Sequence, residues 1–99
     1  MYAMFYQVSL FNQPIGNWDV SSVTNMDFMF QEASAFNQPI GDWDVSSVTN
    51  MDGMFLQASN FNQDLNIWNV SSVNTCSCFS CGATSWTLPQ PNFTNCNPD

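Results

Sequence analysis

The sequence predicts an α/β repeat solenoid of about four 25-residue turns, each with a short strand and a short helix. Three observations predict it. The segment that begins at Phe11 returns at Phe36 and again, altered, at Phe61, and residues 11–35 and 36–60 share 20 of 25 positions. Two hydrophobic periodicities alternate inside each unit. The large apolar residues fall in columns 25 apart along the whole chain. A fixed period of this length marks one supersecondary unit that buries its apolar face only against its neighbours.

The phase divides residues 1–99 into one domain. It holds a partial repeat 1–10, repeats 11–35, 36–60 and 61–85, and a partial repeat 86–99, with a cysteine-containing last turn at 76–96. Phe11, Phe36 and Phe61 are followed by Trp86, and Trp18, Trp43 and Trp68 by Phe93. Met4, Met29 and Met54 are followed by Phe79. Met1 itself stands in the register of Met26 and Met51.

The first part of each unit reads as extended. Phe11 to Trp18 carries Pro14 and Gly16, which break a helix and close a turn. The second part reads as helical. Val23, Met26, Met29, Phe30 and Ala33 lie on one face at helical spacing. Thr24 and Asp27 match a capping box before it. Asn12, Asn37 and Asn62, with Gln13, Gln38 and Gln63, form amide columns that can bond from turn to turn.

The string Phe-Asn-Gln-Pro-Ile-Gly-Asn-Trp-Asp-Val-Ser-Ser-Val-Thr-Asn-Met-Asp-x-Met-Phe, at residues 11–30, resembles the BspA-like leucine-rich-repeat surface proteins. The resemblance covers essentially the whole chain and weakens after Asn74. It implies a leucine-rich-repeat-like solenoid on a cell surface, in some cases adhesive. It carries over no catalytic residue. The chain departs from the family in its shortness, its Cys-rich end and the lack of an anchor or signal peptide. Met1 to Phe11 is apolar but has no basic n-region and no cleavage site.

Charge excludes several partners. The chain has no Lys, Arg or His, and its eight acids give a net charge of −8. Nothing can neutralise phosphates, so nucleic acid and anionic membranes are excluded as partners. No segment approaches the roughly 20 apolar residues of a membrane-spanning helix. Catalysis is not expected either, because there is no His or Lys to act as a base and the carboxylates recur as repeat columns. Asp19 and Asp44 on neighbouring turns read as turn caps, with a Ca²⁺ site as the sharper reading. No other cofactor is expected.

Cys76, Cys78, Cys81 and Cys96 all fall in the last quarter of the chain. A disulfide between Cys76 and Cys78 is geometrically awkward. That leaves 76–81 with 78–96, or 76–96 with 78–81. Zinc ligation and free thiols are the other readings. Asn69-Val-Ser71 and Asn92-Phe-Thr94 match the N-glycosylation pattern, with Asn69 at the turn position of Asp19 and Asp44.

Two functions are therefore expected outside enzymology, both extracellular or at the cell surface. One is a structural protein that stacks head to tail into a filament through the apolar edge Met1, Tyr2, Met4 and Phe5, since a second copy would continue the repeat almost in register. The other is an adhesion or recognition module that takes a protein or glycan on its exposed face.

Overall fold

Each 25-residue unit lays down one layer, and each layer sits on the one before it. The computed structural model describes residues 1–99. The layers comprise residues 1–25, 26–50, 51–75 and 76–99, and the whole measures 31 × 28 × 22 Å.

The layers are not built from strands and helices. The predicted α/β repeat solenoid is corrected here, because the chain contains no α-helix and no extended strand. Its sheet-like pairing is limited to isolated parallel bridges from Asn25 to Asn50 and from Asn50 to Thr75. The stretch around Val23–Ala33, expected as a helix, is a run of tight turns. Met29 N–H donates to Met26 O at 3.3 Å, Gln31 N–H to Phe28 O at 3.2 Å and Ala33 N–H to Phe30 O at 3.0 Å.

The reason lies in the backbone. Phe28 and Glu32 have φ of 57° and 58°, in the left-handed region. A helix needs every φ near −60° and every N–H bonded four residues back. Two left-handed residues four apart break that pattern and turn alternate N–H groups outward. Phe28, Phe30 and Glu32 then donate to Asp52, Met54 and Leu56 of the next layer, and Met26 donates to Asn50 at the layer boundary, all at 2.8–2.9 Å. The capping box at Thr24 and Asp27 has no helix to cap. Asn25 Oδ1 instead accepts the Asp27 N–H at 2.9 Å.

Phe11 to Trp18 and its repeats, expected as strands, are extended but make no backbone ladder. Side chains take that role. Asn12 Oδ1 accepts the Asn37 N–H at 2.9 Å, and Asn37 Oδ1 accepts the Asn62 N–H at 2.8 Å. Gln38 Nε2 donates to Asn12 Oδ1 at 3.0 Å, and Gln63 Nε2 to Asn37 Oδ1 at 2.9 Å. The amide columns are thus ladders that replace main-chain pairing.

The core fills the middle of every layer. Met26, Met29, Phe30, Phe36 and Ile40 are fully buried, as are their equivalents Met51, Met54, Phe55, Phe61 and Leu65. The rings stack from layer to layer, Phe5 on Phe30 at 5.4 Å, Phe30 on Phe55 at 5.3 Å and Phe36 on Phe61 at 5.7 Å. Each such side chain stabilises the fold by roughly 1.5–3 kcal/mol. With no Lys, Arg or His in the chain, cohesion between layers rests on this burial and on hydrogen bonds.

Candidate functional site: the two end faces and a polar groove

The layers at the two ends of the stack differ from those between them. In the first, Tyr2, Met4, Tyr6, Val8 and Leu10 are exposed. Trp18 is 41% exposed, whereas Trp43 and Trp68 are each 4% exposed. Trp43 Nε1–H donates to Ile15 O, and Trp68 Nε1–H to Ile40 O, each at 3.1 Å. Of the predicted edge residues, Tyr2 and Met4 lie open, Met1 is half-buried and Phe5 belongs to the core. Tyr2 packs edge-on against Phe28 at 6.2 Å.

The fourth layer closes on itself. Cys76 is joined to Cys96 and Cys78 to Cys81, and no cysteine is free. All four sulfurs are therefore engaged in disulfides rather than available to zinc. Phe93 meets Phe79 edge-on at 4.9 Å, and Phe79 is fully buried. Asn95 Nδ2 donates to Ser71 O at 2.8 Å and fastens this end to the layer above.

Asp19 and Asp44 are exposed, and each closes a turn. Asp19 Oδ1 accepts the Ser21 hydroxyl at 2.6 Å and the Ser21 N–H at 3.0 Å. Asp44 does the same with Ser46. The serine hydroxyl first, and the serine N–H second, hold both carboxyls below the usual carboxylate range. No group of three or more His, Cys, Asp or Glu lies within reach of one ion. Asn69 occupies the same turn position, is exposed, and accepts from Ser71 through Oδ1, leaving Nδ2 without a partner. Asn92 is exposed in the fourth layer.

Two features escaped the sequence reading. One is Asp27, read there as a cap but 8% exposed, with Oδ1 buried and unpartnered. Burial pushes its carboxyl up, and the Asp52 charge adds to that. The other is a polar groove of about 400 Å³ that crosses the layers past Pro14, Gly16, Asn17, Pro39, Asp42 and Asp64. Glycine is required on its floor. A Cβ on Gly16 would lie 2.6 Å from Pro39 O, and one on Gly41 would lie 2.9 Å from Asp64 O.

Residues 1–93 match the family described as "Mycoplasma protein of unknown function, DUF285". The chain belongs to the DUF285 family. The match takes in three complete layers and most of the fourth, and stops short of Asn95 and Cys96. No curated protein and no solved structure matches the chain. No helix of the structure is long and apolar enough to cross a membrane.

Proposed function

We propose that the chain is a non-enzymatic extracellular structural protein that associates with itself end to end. The observation that carries this reading is the exposed apolar rim of Tyr2, Met4, Tyr6, Val8 and Leu10 on the first layer. Five large apolar residues left exposed within ten positions are the kind of surface that interaction sites present. The two end faces differ, so a contact between them is heterologous and open-ended, which builds filaments. Two disulfides in so short a chain support an oxidising, extracellular setting. The resemblance to BspA-like surface proteins supports the same setting. Exposed Asn69 and Asn92 would then carry N-linked glycans.

Negative-stain electron microscopy and sedimentation of the disulfide-intact chain test this reading. Fibres with a regular axial repeat at moderate salt are expected. Dispersed particles of one chain's mass at every concentration and salt level would overturn it.

A second reading, an adhesion or recognition module for a protein or glycan, is favoured by the polar groove at Pro14–Asp64. No large hydrophobic side chain lines it, and Asp42 and Asp64 bring carboxylates that suit hydroxyl donors. Glycan-array binding abolished by filling the groove with Asn17→Trp would favour this reading over assembly.

A further inference from the structure

Along the run of tight turns that opens each layer, the main-chain hydrogen bonds to the next layer run one way. Ala3, Phe5 and Gln7 donate their N–H groups to the carbonyls of Asp27, Met29 and Gln31, at 3.0, 2.8 and 2.8 Å. Phe28, Phe30 and Glu32 donate to Asp52, Met54 and Leu56, at 2.9, 2.8 and 2.8 Å. Gly53, Phe55 and Gln57 donate to Ser77, Phe79 and Cys81, at 2.9, 2.8 and 2.7 Å. Three such rungs therefore join each pair of layers in this segment, from N–H in one layer to C=O in the next, while at the far end of the layers single bonds run back, from Thr49 N–H to Thr24 O at 2.8 Å and from Asn74 N–H to Thr49 O at 3.0 Å.

Continuing this pattern past either end leaves half of it unmade. One repeat before Asp27, Met29 and Gln31 stand Tyr2, Met4 and Tyr6, whose carbonyls accept no hydrogen bond within the chain. One repeat after Gly53, Phe55 and Gln57 stand Cys78, Ser80 and Gly82, whose N–H groups donate to nothing within the chain. The two unmade sets are complementary in sign, number and spacing. Their backbone is already set for pairing. Ala3 and Gln7 in the first layer have φ of 50° and 57°, and Cys78 and Gly82 in the fourth have φ of 50° and 76°, as in the inner layers.

Resting on the end-to-end reading above, we propose that the partner of the first layer is the fourth layer of a second copy of this chain, stacked in parallel. The Cys78, Ser80 and Gly82 N–H groups of one copy donate to the Tyr2, Met4 and Tyr6 carbonyls of the next. Pairing through main-chain edges supplies affinity without any charged side chain. Two first layers cannot pair with each other this way, because carbonyl would face carbonyl. The contact therefore propagates rather than closing as a dimer. Each copy carries a net charge of −8, so the contact should strengthen as salt screens the repulsion.

Amide exchange followed by NMR on the disulfide-intact chain, dispersed at low salt and associated at high salt, tests the pairing. In the dispersed state Cys78, Ser80 and Gly82 exchange freely, whereas Gly53, Phe55 and Gln57 are protected. On association the first three should slow by at least about tenfold. Association that leaves these three amides unprotected overturns the parallel pairing but leaves the assembly reading standing. No association under any condition overturns both.

Discussion

The indole Nε1–H of Trp43 donates to the backbone carbonyl of Ile15, 28 residues earlier, at 3.1 Å. The bond ties the side chain of one layer to the main chain of the previous one, inside the core. Trp68 repeats it on Ile40. Trp43→Phe removes the donor and leaves the Ile15 carbonyl without its indole partner, so it should destabilise by about 1–3 kcal/mol in urea unfolding. Trp18 is 41% exposed and makes no such bond, so Trp18→Phe should lose clearly less. Equal losses would mean that ring packing, not the bond, sets the value of the column.

Gly16→Ala tests how closely the layers approach. The added methyl would lie 2.6 Å from Pro39 O, a backbone atom that cannot swing aside. Forcing the layers apart there should lower stability by about 1–3 kcal/mol, as overpacking does. Thermal unfolding by circular dichroism reads this directly. An unchanged midpoint would show that the two layers slide freely.

The two disulfides should differ in value. Cys76 and Cys96 are 20 residues apart, and Cys78 and Cys81 are 3 apart. By loop-closure entropy the longer loop contributes about 3 kcal/mol and the shorter about 2. Cys76→Ser with Cys96→Ser should therefore lower the denaturation midpoint more than Cys78→Ser with Cys81→Ser. The reverse order would place the main constraint in the short loop.

Stability should pass through a maximum on the acid side of neutrality. The Asp27 carboxyl is raised by burial, so its ionised form opposes folding above its folded pKa, and stability rises as pH falls through that value. Asp19 and Asp44 are lowered, so their contribution is present above the ordinary carboxylate range and is lost as pH falls through their folded values. Asp27→Asn should raise the midpoint at pH 7 and have little effect once the carboxyl is protonated. A pH-independent effect of this substitution would assign it to packing instead.

The period, the columns and the buried faces were legible because a repeated sequence must place equivalent side chains in equivalent surroundings. The local structure was not. Val23, Met26, Met29, Phe30 and Ala33 have the spacing of a helix face, but consecutive tight turns produce the same spacing. What separates the two is a left-handed backbone at Phe28 and Glu32, and neither residue type announces it. The signal was displaced by one or two repeats. Gly53 stands at the Phe28 position and Gly82 at the Glu32 position, both with positive φ. One glycine in each of these two columns of equivalents marks both columns as left-handed.

The site was legible in part. An Asx turn at Asp19, Asp44 and Asn69 follows from a short polar side chain two residues before a free N–H. The disulfide partners could not be chosen from spacing, because both remaining pairings fit a single turn. They follow from the fold, which brings Cys76 and Cys96 to a Cα separation of 5.9 Å at the two ends of the fourth layer.

That covalent closure has a mechanical consequence. In a chain pulled by its two termini, the first layer, held by hydrogen bonds and packing alone, can be stripped to full extension. The fourth cannot. The Cys76–Cys96 bridge diverts the load across 5.9 Å instead of along the 20 residues between the two cysteines. At about 3.3–3.6 Å per extended residue this withholds roughly 60 Å of contour length. In a single chain held under tension that length is slack which only a reductant can release.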